Sequence, residues 1–210
     1  MILIECQQGT PEWFAARAGV CTASKFSDAI GTLKNGNPSQ ASLDYAYKLA
    51  VERIYGQTTE DTYQTFEMRR GTELEPLARM AYEVKTGNLA EESGVVLTDD
   101  KLFGYSTDGL VAADGLIEIK CPNAARKIVE MWETGSIAEY EHQIQGGMWI
   151  TGRKWCDFIM YAPQLEPAGK HLFIKRVERD DDFIEAMESK LWDFSRKVQA
   201  HVNNLLKEAA

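Results

Sequence analysis

Near its start the chain runs in a 3.6-residue rhythm broken by polar punctuation. Thr10 precedes Pro11 and Glu12, which supplies a cap, a first-position proline and an acid in the first turn. A helix is predicted there, carrying Trp13, Phe14 and Arg17 and stopping near Gly19. A second short helix is expected through Thr22-Ala23-Ser24, and KNGNPSQ (34–40) reads as a loop. Residues 41–55 predict a helix with Leu43, Tyr47, Ala50, Val51 and Ile54 on one face and Gly56 as its stop. Residues 70–86 predict another, striped by Leu74, Leu77, Ala78, Ala81 and Tyr82 and stopped by Gly87. A proline is tolerated only in the first turn, so Pro76 places that helix's start near Glu73–Glu75.

The period then changes to two. GVVLTD (94–99), FGYSTDGLVAA (103–113), LIEIKC (116–121), WCDFIMYA (155–162) and KHLFIKRV (170–177) read as strands. Asp114-Gly115 reads as a two-residue hairpin turn between the second and third. Helices over about 124–133 and 137–151 separate the third strand from the fourth. From Asp181 an amphipathic helix carries Ile184, Met187, Leu191, Val198, Val202 and Leu205. The order implies a mixed α/β fold, with a central sheet flanked by helices. The expected organisation is one domain over 1–210: a helical N-terminal part (about 10–87), a sheet core (about 94–178) and the C-terminal helix (about 181–208).

Composition narrows the partners. At 210 residues, 44% hydrophobic and 26% charged, the chain is an ordinary globular one. Its net charge of −9 argues against a passive nucleic-acid coat, but not against a nuclease, which needs acids at its centre and only a local basic stripe. Basic pairs recur at Arg69-Arg70, Arg126-Lys127, Arg153-Lys154 and Lys175-Arg176, and read as solvated surface or DNA contacts. Four scattered cysteines without a CxxC pair fit no zinc site, iron–sulfur site or disulfide framework. No apolar run is long enough to cross a membrane and no secretory signal is visible, so a cytoplasmic location is expected.

The chemistry concentrates at Ser106-Thr107-Asp108-Gly109 and at Glu118-Ile119-Lys120. Glu118 and Lys120 are two apart on a strand and share a face with Leu116, while Ile117 and Ile119 take the other. A two-residue turn would set Lys120 opposite Gly109 and Asp108 opposite Cys121, so Asp108 needs a bulge or strand end to reach the same side. Two carboxylates, a main-chain carbonyl and waters make an oxygen site for Mg²⁺ or Mn²⁺. The same spacing also fits a plain strand-edge salt bridge between Glu118 and Lys120.

The pattern Asp108…Glu118-x-Lys120-Cys121-Pro122 resembles the PD-(D/E)xK nucleases, which have a restriction-endonuclease-like core. More narrowly it is similar to the phage lambda exonuclease (YqaJ-type viral recombinase) family. WFAARAGVCTAS (13–24), GTELE (71–75), KCPNAAR (120–126) and QIQGGMW (143–149) agree in order and spacing. Thr107 departs from the family, in which a proline often precedes the aspartate.

The resemblance implies roles. Asp108, Glu118 and the Ile119 carbonyl would be metal ligands, and Glu75, projecting from the start of its helix, would serve a second metal or its waters. Lys120 would position or deprotonate the attacking water; Gln143 would orient Lys120 or the nucleophile, with Tyr140 nearby. Arg17, Ser24, Ser106 and Arg126 match positions that hold a terminal 5′-phosphate. Taken singly, Ser24 also reads as a helix cap, and Arg17 and Arg126 as surface charges.

The implied activity is a 5′-to-3′ exonuclease on duplex DNA ends using two Mg²⁺ ions, with Mn²⁺ as an alternative. It would release 5′-mononucleotides and leave a 3′ overhang. A ring-shaped homotrimer, a single-strand annealing recombinase as partner and a phage or prophage setting in a bacterial host go with it. The rival readings are a restriction-type endonuclease, an iron–sulfur nuclease and a catalytically inactive DNA-binding recombination scaffold.

Overall fold

The structure is a computed structural model that describes residues 1–59 and 66–207. Its first half runs β1 (Ile2–Ile4), α1 (Pro11–Arg17), β2 (Cys21–Thr22), a 3₁₀ turn (Ala23–Lys25), α2 (Phe26–Ala29), α3 (Gln40–Tyr55) and α4 (Phe66–Thr86). Strands β3 (Ala90–Glu91), β4 (Val95–Leu97), β5 (Phe103–Ser106), β6 (Gly109–Val111) and β7 (Gly115–Lys120) follow. The chain then forms α5 (Ala125–Thr134), α6 (Glu141–Thr151), β8 (Trp155–Tyr161), β9 (Leu172–Glu178) and α7 (Asp181–Leu206). The predicted caps hold: Thr10 Oγ1 accepts the Trp13 N–H, Gly56 ends α3 at φ +74°, and Gly87 sits at φ +75° after α4. The expected end of the last helix at 208 lies outside the described residues.

The fold is mixed α/β, but it has two sheets where one was expected, ordered β1-β4-β5-β2 and β3-β6-β7-β8-β9. The stretch 103–113, predicted as one strand, is split between them. Thr107 makes the break: its buried hydroxyl donates to the Gly109 carbonyl (3.0 Å) and accepts the Gly109 N–H (3.1 Å). This side-chain turn bends the chain at Asp108.

β7 is central in the second sheet, antiparallel to β6 and parallel to β8 after the α5–α6 crossover. Leu116 packs with Phe158 and Met160 toward α6 and α7, whereas Ile117, Ile119 and Ile159 pack on Ala78 and Tyr82 of α4. Each such side chain contributes about 1.5–3 kcal/mol on burial. The face assignment from alternation is therefore correct.

Three local readings are not. The hairpin register pairs Val111 with Gly115, so the loop is Ala112-Ala113-Asp114 and Gly115 belongs to β7. Ala112 takes the positive φ (+47°). Gly115 is required for space, because a Cβ there would lie 2.1 Å from the Trp155 ring. α4 starts at Phe66 and carries Pro76 in its interior. Tertiary anchoring outweighs the lost hydrogen bond: Arg70 donates to the Cys121 carbonyl (2.8 Å), and Tyr82 donates to Asp157 (2.7 Å). On α3 the buried face is Tyr45, Ala46, Leu49 and Ala50, while Tyr47, Val51 and Ile54 face outward. The two alanines leave room for α7 to approach, and the Tyr45 ring stacks on Phe194 at 5.6 Å.

Candidate active site

The β6–β7 register pairs Gly109 with Ile117, and continuing it one step sets Asp108 across from Glu118. The break at Thr107 frees Asp108 from strand alternation, and its Oδ2 accepts the Ile119 N–H at 2.6 Å. Glu118 is only 1% exposed. Burying a carboxylate costs several kcal/mol unless donors surround it. Three do: Oε1 accepts Gln143 Nε2 (2.6 Å) and Lys120 Nζ (2.7 Å), and Oε2 accepts the Tyr105 hydroxyl (2.8 Å). Gln143 thus meets the site through Glu118, on the same oxygen that accepts from Lys120. Lys120 also lies over the Tyr140 ring (5.4 Å), which stacks on Phe158.

These groups open into a cavity of about 790 Å³. Glu75, Asp108, Glu118 and Lys120 line it, as do Ile119, Tyr140 and Gln143. Glu75 arrives from the middle of α4 and not from its start, and pairs with Arg79 at 3.0 Å. Burial, then the neighbouring Glu118 and Glu75 carboxylates, push the Asp108 pKa well above the usual range. Burial also raises Glu75, against the pull of Arg79. Burial works against the Lys120 ammonium, yet Glu118 and Asp108 beside it hold its pKa above the ordinary lysine value.

Arg17, Ser24 and Ser106 line the same cavity. The Arg17 guanidinium stacks on the Trp13 ring at 4.0 Å, and Arg17 Nη1 and Trp13 Nε1 both donate to Ser106 Oγ at 3.0 Å. Trp13 is thus buried by its ring and polar at its edge. Ser24 is exposed in the 3₁₀ turn, and the helix behind it spans only Phe26–Ala29, so a helix dipole adds little there. Arg126 is not brought in: its side chain is exposed, pairs with Glu130 (2.7 Å) and lies outside the cavity wall.

The residue beside it, Lys127, does line the cavity, paired with Glu139 at 2.9 Å. Of that basic pair, only Lys127 faces the cavity in this structure, a difference set by helix phase. Tyr105 was missed because it reads as one more apolar strand residue. Other basic residues are committed elsewhere. Arg153 donates to the Val111, Ala112 and Gly115 carbonyls, Lys175 to that of Gly135, and Arg176 is bidentate on Asp157.

Among the described residues, no group of three or more His, Cys, Asp or Glu is gathered as a ready metal site. Although Cys121 and Met68 also line the cavity, Asp108, Glu118 and Glu75 bring it hard carboxylate oxygens. Their mutual repulsion is what a divalent cation relieves, so the set fits Mg²⁺ or Mn²⁺ better than zinc.

Comparison with known proteins agrees with this geometry. The model of the YqaJ-like viral recombinase domain matches residues 12–154, which takes in every segment from Trp13 to Trp149 that carries the resemblance. The chain belongs to the YqaJ-like viral recombinase family. The alkaline exonuclease LHK-Exo from Laribacter hongkongensis is 39% identical, over 93% of this chain and 96% of its own, with a TM-score of 0.83. LHK-Exo in complex with dAMP aligns with the same coverage at 38% identity and a TM-score of 0.84. A phage related exonuclease from Haemophilus somnus 129PT shares the fold at 17% identity, over 91% of this chain and 96% of its own, with a TM-score of 0.68. No curated protein sequence matches the chain. No helix among the described residues is long and apolar enough to cross a membrane.

Proposed function

We propose that this family member is a nuclease that degrades duplex DNA from its ends, 5′ to 3′, with Mg²⁺ as its ion and Mn²⁺ as an alternative. The observation that carries this is the meeting, in one cavity, of Asp108–Glu118–Lys120 with Arg17–Ser24–Ser106. One group suits hydrolysis of a phosphodiester, and the other suits a phosphate held at a fixed distance from it. Likeness to the LHK-Exo structures supports exonuclease activity, and a bound dAMP in one of them supports mononucleotide release.

Asp108, Glu118 and the Ile119 carbonyl would hold the ion, with Glu75 serving a second ion or its waters. When bound there, the ion would lower the pKa of water and offset charge developing on phosphorus. Lys120 donates to Glu118 and has further N–H donors to orient the attacking water or meet the phosphate. Gln143 and Tyr105 fix the Glu118 carboxylate, and Tyr140 limits where the lysine can swing. Arg17 and the Ser24 and Ser106 hydroxyls grip the terminal 5′-phosphate, with the Trp13 ring as backing. Arg126 would join only by leaving Glu130.

Attack of water on the next phosphorus breaks its bond to the 3′ oxygen. A 5′-mononucleotide leaves, and the new end carries the 5′-phosphate needed for the next cycle. The 3′ strand left behind would load a single-strand annealing recombinase, in the bacterial cytoplasm during phage or prophage recombination. A ring-shaped homotrimer would keep the DNA threaded. Linear duplexes with 5′-phosphate or 5′-hydroxyl ends, assayed with and without Mg²⁺, test the reading. Release is expected only with the ion and faster from phosphorylated ends; ion-independent release would overturn it.

A further inference from the structure

Away from the catalytic carboxylates, Glu52 is sealed in at 2% exposure near the end of α3. Its Oε2 accepts the Gly19 N–H at 3.0 Å, and the neighbouring Arg53 donates through Nε to the Gly19 carbonyl at 3.0 Å. We propose that Glu52 and Arg53 are positioning residues that set the enzyme's preference for phosphorylated ends by latching the turn behind Arg17. The inference rests on the terminal-phosphate reading above.

Consecutive side chains thus hold both backbone polar groups of one residue, Gly19, and so fix the peptide units on either side of it. Gly19 sits at φ +71°, and a Cβ there would lie 2.7 Å from Arg53 Cγ, so the close approach excludes any side chain. The turn is tight: the Val20 N–H returns to the Arg17 carbonyl at 3.1 Å. Arg17 therefore leaves the backbone within two residues of a doubly clamped point.

The clamp is itself immobilised. Glu52 Oε1 accepts the Thr58 hydroxyl (3.2 Å), the Thr59 N–H (2.8 Å) and the Thr59 hydroxyl (3.0 Å), with Lys48 at 3.8 Å. Arg53 keeps Nη1 and Nη2 buried without hydrogen-bond partners among the described residues. Such burial is costly, and among the described residues it is the Nε bond to Gly19 that offsets it. A void of about 10 Å³ is lined by Arg17, Glu52, Tyr45 and Thr22, so Glu52 and Arg17 face one small space. A grip on phosphate depends on placing the guanidinium plane, and small misplacements are costly.

The test compares Arg17→Ala, Glu52→Gln and Arg53→Lys with the wild type on short duplexes bearing 5′-phosphate or 5′-hydroxyl ends. Nucleotide release is followed with Mg²⁺, and binding by fluorescence anisotropy in EDTA, both below each variant's Tm. Glu52→Gln should cut the phosphate-to-hydroxyl preference about tenfold, the change carried by KM, and Arg53→Lys should cut it less. A purely structural role would lower Tm and slow both ends alike, leaving the ratio intact. The latch is overturned if both variants keep the wild-type ratio while Arg17→Ala loses it. If Glu52→Gln does not fold, the ratio for Arg53→Lys decides. A wild type indifferent to the end group would instead sink the terminal-phosphate reading, and the latch with it.

Discussion

Replacing Tyr105 by phenylalanine isolates one hydrogen bond of the proposed catalytic carboxylate. Tyr105 is 1% exposed and its ring lies against Gly147, where a Cβ would come within 2.8 Å of it, so phenylalanine fills the same space. What disappears is the 2.8 Å donation to Glu118 Oε2. The other two donors, Gln143 and Lys120, both sit on Oε1, so Oε2 is left buried without this partner. A hydrogen bond to a charged group contributes about 1.5–3 kcal/mol. At roughly 2–4 °C per kcal/mol for a chain of this size, Tm should fall by about 3–12 °C. The released oxygen can rotate away from the cavity, so Mg²⁺-dependent nucleotide release should drop about tenfold, a barrier change of about 1.4 kcal/mol. Thermal unfolding in EDTA and steady-state release read the two effects separately. A Tm within about 1 °C of wild type together with an unchanged rate would show that Tyr105 does not hold Glu118, and the reasoning would fail.

Three further outcomes follow from the same structure. Gly115→Ala should fold poorly, with a loss of about 1–3 kcal/mol or more in urea denaturation, because the new methyl meets the Trp155 ring beneath β7. Lys127→Ala should weaken binding to duplex ends in an anisotropy titration more than Arg126→Ala does, since only Lys127 lines the cavity; the reverse order would contradict the placement of α5. His142, packed on Phe183, is held below its usual 6.5 by burial, with Glu141 opposing and Lys190 assisting. The unfolded histidine takes up its proton first, so this contribution is present above pH 6.5 and is lost as pH falls from there toward the folded value. Urea midpoints at pH 7.5 and 5.5 should differ less in His142→Asn than in wild type.

What was legible in the sequence was whatever repeats within a few residues. The alternation of Leu116, Glu118 and Lys120 against Ile117 and Ile119 reads directly, and so do the caps at Thr10 and Gly56. β1, β2 and β3, at two or three residues each, are too short for any period to show; β1 and β2 flank β4 and β5 to make the separate four-stranded sheet, and β3 adds an edge to the sheet that carries β7. Pro76 misled because local propensity cannot register Arg70 and Tyr82 pinning α4 to the sheet. The missed face of α3 has a similar cause: apolar residues surround that helix, and only the approach of α7 selects among them. In the candidate site, Asp108, Glu118 and Lys120 stood out as charges within apolar strands. Tyr105, Lys127, Glu52 and Arg53 carry no such contrast. Their parts depend on partners 13, 12, 33 and 34 residues away in the chain.

The account stands on Asp108, Glu118 and Lys120 forming one hydrolytic centre. The most direct measurement is Mg²⁺-dependent mononucleotide release from 5′-phosphorylated linear duplex by Glu118→Ala and Lys120→Ala, each first shown to be folded by circular dichroism. Both should lose about a hundredfold or more of the wild-type rate while still binding the duplex end. Folded variants that release nucleotides at the wild-type rate would contradict it.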